Sequence, residues 1–239
     1  MYQYQKRVTY SDIDGNKKVP MDQLLNFFQD CSTFHSEELK IGMDYLQQRK
    51  RVWIMTAWQV ELTRYPEFGE TLIIGTWPYD FKGMYGYRNF DIVDQYGQRI
   101  AKVNSLWVNY DLAQHCPTKI EECDRASYVI EPKLEMDYAP RKIKVSGEYQ
   151  EGTPILIQYH HLDSNGHVNN AKYPQIALDA VQAIQGYCYP LQMRVDYRKE
   201  TKLGETVIPR IYLNDECVQV EIVDSEGTTH VIVEFSCFS

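Results

Sequence analysis

No run of apolar residues in this 239-residue chain approaches the ~18–20 that a membrane-spanning helix needs. The opening Met1-Tyr2-Gln3-Tyr4-Gln5-Lys6 carries no apolar signal region, so a cytoplasmic protein is expected. Cysteines in metal or redox spacing are missing too. Cys31, Cys116, Cys123, Cys188, Cys217 and Cys237 form no CxxC pair and no zinc pattern, which reads as reduced thiols and no metal site. Nor is there an excess of positive charge. The formal net charge of −8 argues against nucleic acid as a partner, while leaving local basic patches free to meet an acidic one. Hydrophobic content of 44% and charged content of 24% are those of an ordinary globular protein, long enough for one or two cores.

Against that plain background stands an internal echo. Asp14-Gly15-Asn16-Lys17-Lys18-Val19 nearly repeats as Asp163-Ser164-Asn165-Gly166-His167-Val168, at an offset of 149 (163 − 14). Gly69-Glu70-Thr71 returns as Gly204-Glu205-Thr206, at an offset of 135 (204 − 69). Two echoes in the same order imply two copies of one unit. The copies differ where chemistry would sit: Lys18 stands opposite His167, and Tyr65 opposite Glu200.

The periodicity of each copy gives its elements. In the first, 2–10 alternates as a strand, and Pro20 suits a helix opening. Leu24, Phe27, Phe28 and Cys31 then line one helix face, which Phe34 extends and Gly42 ends. Strand-like runs follow from Arg51, through Trp58, Val60 and Leu62, and over 71–79, 85–94 and 99–110. Residues 113–150, with Pro117, Pro132 and Pro140, read as a connector. In the second copy, extended structure near 155–159 leads to a helix with Ala177, Ala180, Val181 and Ile184 on one face, ended by Gly186. Strands are expected over 192–198, 206–213, 217–224 and 228–235. One helix cannot cover both faces of such a sheet. The economical solution is an α+β double hotdog: two tandem units, each a curved antiparallel sheet wrapped around a central helix, with the sheets joined edge to edge. The units are 1–112, a degenerate scaffold, and 151–239, the catalytic one.

Asp163, Asn165 and His167 alternate just before the second helix, which puts them on one side of an extended segment. In this fold Glu200, at the end of the 193–198 strand, approaches the helix start. Backbone N–H groups of Val168, Asn169 and Asn170 there would favour developing negative charge, as in an oxyanion hole. A carboxylate can act as base toward water or attack a carbonyl itself, and a histidine can orient or protonate. The set suits acyl hydrolysis. A lone loop histidine usually reads as structural; the Lys18 in its place in the other copy argues for chemistry. Asp163 and Asn165 are retained as Asp14 and Asn16, which argues that both shape the loop.

The segment His161-Leu162-Asp163-Ser164-Asn165-Gly166-His167-Val168-Asn169-Asn170-Ala171-Lys172-Tyr173 resembles the active-site segment of the plant-type acyl–acyl carrier protein thioesterases and their bacterial relatives. Val195-Asp196-Tyr197-Arg198-Lys199-Glu200 resembles the family's second active-site segment, and Trp77 and Ser105-Leu106-Trp107-Val108 resemble its first-half strands. The resemblance implies a tandem hotdog, cleavage of fatty acyl chains from acyl carrier protein to end elongation, no cofactor, and Asp163, Asn165, His167 and Glu200 as active-site residues. One position departs. Many relatives place cysteine directly after the glutamate; here it is Thr201, so a Cys–His mechanism is unavailable at that point.

Acyl carrier protein is acidic, so a basic cluster is expected to dock it. Arg49-Lys50-Arg51 and Arg141-Lys142 with Lys144 are candidates, but Arg198, Lys199 and Lys202 lie nearest Glu200 and are the first choice. Rival readings are a coenzyme A thioesterase, a hotdog hydratase or dehydratase, and a non-catalytic acyl-binding protein. A homodimer is compatible with all of them.

Overall fold

The computed structural model describes residues 1–163 and 166–238. They fall into two compact units, one of residues 1–56 and 61–138, the other of residues 57–60 and 139 onward.

The first unit opens with strand β1 (Tyr2–Arg7) and a 3-10 turn (Tyr10–Asp12), followed by helix α1 (Met21–Glu38) and the short helix α2 (Met43–Gln48). Strands β2 (Arg51–Leu62), β3 (Thr71–Lys82), β4 (Tyr85–Val93) and β5 (Arg99–Asp111) follow, then β6 (Cys116–Pro117) and the short helix α3 (Glu122–Ala126). The strand order is β1-β3-β4-β5-β2, with β6 against β5. Helix α1 buries Leu24, Leu25, Phe27, Phe28 and Cys31 and packs on β3 and β1. Each such large apolar side chain contributes roughly 1.5–3 kcal/mol.

Two expectations change here. The first helix stops at Glu38, and Gly42 instead caps the start of α2, where Glu37 Oε1 accepts from the Met43 amide at 2.7 Å. Phe34 does not extend the buried face: at i+7 from Phe27 it sits at the edge of the stripe, is 46% exposed and meets Tyr4 edge-on.

The second unit repeats the plan. Strands β7 (Gln150–Glu151) and β8 (Ile155–Leu156) and a 3-10 turn (Tyr159–His161) precede helix α4 (Lys172–Gln185). Strands β9 (Pro190–Tyr197), β10 (Thr206–Leu213), β11 (Cys217–Asp224) and β12 (Thr229–Phe238) complete it, in the order β9-β12-β11-β10-β7 with β8 also on β10. Helix α4 packs on β10, β11 and β12 through Tyr173, Ile176, Ala177 and Val181, while Ile184 is 39% exposed. Gly186, at φ 83°, caps it and returns its N–H to Gln182. This is the hotdog plan twice over: a helix packed on one antiparallel sheet in each unit.

The echoes hold in three dimensions. Val8 and Gly69 exchange with Glu70 and Val8 the hydrogen bonds that Ile157 and Gly204 exchange with Glu205 and Ile157. The 3-10 turns coincide as well, with Asp12 Oδ2 accepting from the Thr9 amide and His161 Nδ1 accepting from the Gln158 amide.

Candidate active site

The loop before α4 is built by one aspartate. The Asp163 amide donates to the His167 carbonyl at 2.8 Å, its own carbonyl accepts from Gly166 at 3.1 Å, and its Oδ1 accepts from the His167 amide at 3.2 Å. Among the described residues the same turn occurs three more times, with Asp14 Oδ1 on the Lys18 amide, Asp94 Oδ1 on Gln98 and Asp224 Oδ1 on Thr228. In each, the residue three beyond the aspartate has a positive φ: 64° at Lys17, 80° at Gly97, 78° at Gly166 and 81° at Gly227. A side-chain oxygen that bonds nearby amides is what aspartate supplies in turns generally. Asp163 therefore aims the backbone of His167.

The next residues run alongside the segment after β9. His167 is bridged antiparallel to Lys202, and the Val168 amide donates to the Thr201 carbonyl at 3.3 Å. That pairing brings His167 Nε2 to 3.2 Å from Glu200 Oε2, while Lys202 Nζ sits 3.4 Å from Glu200 Oε1. The side chains of His167 and Glu200 are 45% and 51% exposed, open to a substrate. An ion pair this exposed contributes about 1 kcal/mol or less to stability, so its value lies in geometry. The carboxylate is oriented at both oxygens, by His167 and by Lys202. The Glu200-x-Lys202 spacing in an extended segment was the sequence signal for this clamp, since alternate residues share a side.

Asn165 lies outside the described residues. Val168, Asn169 and Asn170 precede the helix, which begins at Lys172. The Asn169 amide donates to the His161 carbonyl at 2.8 Å, and Asn169 in turn accepts from Ala171 through Oδ1 at 2.9 Å and from Lys172 through its carbonyl at 2.8 Å. With Val168 also engaged, Asn170 is the one of the three whose amide meets no acceptor among the described residues. Its carbonyl is fixed by the Tyr197 hydroxyl at 2.7 Å. Tyr197 packs edge-on against Tyr173, their ring centres 5.9 Å apart. Burial pushes the Tyr173 phenol up to about 12 and the Tyr197 phenol well above its ordinary value, so both keep their protons.

The three cations expected to dock a carrier are already engaged. Arg198 Nε lies 3.0 Å from Asp196 Oδ2 and its Nη2 donates to the Ile143 carbonyl at 2.7 Å. Lys199 pairs with Asp224 at 2.9 Å, and Lys202 with Glu200. Among the described residues no group of three or more His, Cys, Asp or Glu side chains is placed to hold a metal ion. None of the described helices is long and apolar enough to cross a membrane.

Comparison with known proteins gives the family. The family model described as the acyl-ACP thioesterase N-terminal domain matches residues 1–128, and the C-terminal domain model matches residues 133–235. A chloroplastic acyl-[acyl-carrier-protein] hydrolase from Cuphea viscosissima is 26% identical over 208 residues, covering 80% of this chain and 50% of the relative. A chloroplastic oleoyl-acyl carrier protein thioesterase from Arabidopsis thaliana is 22% identical over 236 residues, covering 91% and 61%. The chain thus spans about half the length of the curated relatives it matches. Among solved structures, an acyl-ACP thioesterase from Bacteroides thetaiotaomicron superimposes with a TM-score of 0.88 at 22% identity, covering 99% of this chain and 97% of that one. The 12:0-ACP thioesterase from Umbellularia californica gives 0.83 at 16% identity, covering 100% and 96%. These likenesses carry the fold. The two family models, which between them run nearly end to end, carry the membership: the chain belongs to the acyl-ACP thioesterase family.

Proposed function

We propose that this chain hydrolyses the thioester of a fatty acyl–acyl carrier protein, releasing the free fatty acid and the carrier's thiol. The observation that carries the reading is the 3.2 Å contact between His167 and Glu200 in the second unit, set where the first unit has Lys18 and Tyr65. Family membership supplies the substrate class.

Glu200 takes a proton from water as its oxygen attacks the thioester carbon. The carbonyl oxygen gains charge and is held by Asn165 and by the Asn170 amide at the entrance to α4. As the C–S bond breaks, the proton taken up by Glu200 passes across the 3.2 Å contact to His167 and on to the departing thiolate, which restores both groups and releases the carboxylic acid. Lys202 keeps the far oxygen of Glu200 in place throughout. A variant of the scheme has Glu200 attack directly through an anhydride. Repeated turnover in oxygen-18 water, with mass spectrometry of the peptide bearing Glu200, separates the two: label in Glu200 marks the anhydride.

The test is release of free thiol from acyl–acyl carrier proteins of graded chain length, run in parallel with the coenzyme A thioesters of the same acyl groups. Faster turnover on the carrier protein is expected. No thiol release from any chain length would overturn the reading, and preference for coenzyme A would move it to another thioesterase class.

A further inference from the structure

Directly behind Glu200 lies a second set of polar groups that the scheme above does not use. Thr201 and His230 are both fully buried. Thr201 Oγ1 is 2.6 Å from His230 Nδ1, and His230 Nε2 is 3.2 Å from Asp224 Oδ2. An ionised carboxylate at Nε2 places the ring proton there, so the unprotonated Nδ1 accepts the Thr201 hydroxyl. Asp224 is kept ionised: Lys199, then the Thr228 amide, and further on His230 hold its carboxyl well below the usual range. The order carboxylate, imidazole, hydroxyl is that of a nucleophile triad. Here, though, the hydroxyl is sealed in the core, while Glu200 beside it points to solvent. Thr201 is therefore no nucleophile.

Its backbone shows what it does. The Thr201 amide donates to the Tyr173 hydroxyl at 3.1 Å, and its carbonyl accepts from Val168 at 3.3 Å. Every polar group of Thr201 is thus tied: one to the helix, one to the His167 arm, one to His230. The His230 carbonyl in addition accepts from the Arg198 and Lys199 amides at 2.8 and 3.1 Å. His230 grips the segment bearing Glu200 from both its ring and its backbone.

The first unit supplies the control. There the Thr63 amide donates to the Ile100 carbonyl at 3.0 Å, as Arg198 does to His230, and the Val19 amide donates to the Pro66 carbonyl at 2.9 Å, as Val168 does to Thr201. Arg64 pairs with Asp94 at 2.8 Å as Lys199 does with Asp224. The backbone plan, the aspartate and its cation are all kept. The hydroxyl and the imidazole are replaced, by Pro66 and Ile100, and proline also lacks the N–H that Thr201 gives to Tyr173, whose place Leu24 takes. The unit folds without them, so the fold does not require them. They occur in the unit that has His167 and Glu200.

We infer that His230, oriented by Asp224 and acting through the Thr201 hydroxyl, is a positioning residue that sets Glu200 against His167. The inference rests on the proposed catalytic role of that pair. Thr201 anchors both arms, so loss of the hydroxyl bond frees the carboxylate to drift from the histidine. A displacement near 1 Å at a reacting group costs on the order of 100-fold in rate.

The experiment compares Thr201→Val, which keeps the shape and loses the hydroxyl, with Thr201→Ser, which keeps the hydroxyl and loses a methyl. His230→Ile, chosen to match Ile100 of the first unit, is the second probe should Thr201→Val not fold. All are measured as the whole chain on an acyl–acyl carrier protein, below their unfolding temperatures. The expected result is a fall in kcat of about tenfold or more for Thr201→Val and His230→Ile, with KM within about twofold and Thr201→Ser near the parent. A variant that merely lowered stability would keep the parent's kcat at temperatures where it is folded. The inference is overturned if Thr201→Val and Thr201→Ser fall equally, or if Thr201→Val and His230→Ile match the parent while His167→Ala is inactive. Full activity in His167→Ala and Glu200→Ala would instead sink the site itself.

Discussion

The backbone of His167 is bridged to that of Lys202, and Lys18 is bridged to Glu67 in the same antiparallel sense in the other unit. The two units therefore share one loop-to-strand frame and differ in what it displays. In the first, Tyr65 takes the place of Glu200 and is 4% exposed, turned into the core. In the second, the carboxylate faces solvent beside an imidazole.

From this asymmetry follows the first expected outcome. His167→Ala and Glu200→Ala should each lower turnover by at least about 100-fold, the scale of one acid–base group. Lys18→Ala should stay within about twofold. Steady-state thiol release by folded variants decides it, and a comparable loss at Lys18 would assign the chemistry to the other copy.

Asp163 separates a turn-building role from a chemical one. Its Oδ1 accepts from the His167 amide as its three counterparts accept from Lys18, Gln98 and Thr228. Asparagine keeps that acceptor and discards the charge. Asp163→Asn should therefore hold kcat within about fivefold, whereas Asp163→Ala should lose about tenfold or more and about 1 kcal/mol of stability, the net value of one such hydrogen bond. Equal inactivation by both substitutions would show that the carboxylate itself is needed.

Much of this was legible in the chain because two signals reinforced one another. Period-2 and period-3.6 patterns gave the elements, and the echo of Asp14 in Asp163 gave the symmetry that located His167 and Glu200. The features that escaped are those whose meaning depends on contacts distant in sequence. Nothing in the Thr201 neighbourhood announces His230, which reaches it from a strand 29 residues on. Lys202 reads in the sequence as one of three cations for docking a carrier, whereas the bridge to His167 places it on Glu200. Gly42 read as a stop signal, yet glycine serves equally to start α2 once Glu37 can satisfy the Met43 amide.

Carrier docking can be tested by charge removal. Arg198 and Lys199 each face a carboxylate of their own chain, Asp196 and Asp224. Cations already neutralised in this way have little potential left for a distant acidic partner, and salt screens what remains. Arg198→Gln and Lys199→Gln should change KM for acyl–acyl carrier protein by less than about threefold at low ionic strength. A tenfold rise that vanishes in salt would show that they do dock the carrier, and would argue that their intramolecular pairs open on binding.

His35 in the first unit governs how stability responds to acid. Its ring stacks on Tyr2, with centroids 5.3 Å apart, and its Nδ1 accepts from Arg88 Nη1 at 3.0 Å. Burial and then the Arg88 charge push its pKa from 6.5 down to about 4. Between those values the unfolded chain binds a proton that the folded chain refuses. Stability should therefore fall as pH drops from about 6.5 to about 4 and level off below. The loss is at most about 3 kcal/mol, and nearer 1 for a ring that is only half-buried. His35→Gln keeps a polar atom toward Arg88 and cannot titrate. Urea unfolding of both proteins across that range should show the variant's stability declining less with acid than the parent's, the difference isolating His35 from the carboxylates. Parallel curves would mean that the imidazole is already charged in the folded protein, and that Arg88 tolerates a second cation at hydrogen-bonding distance.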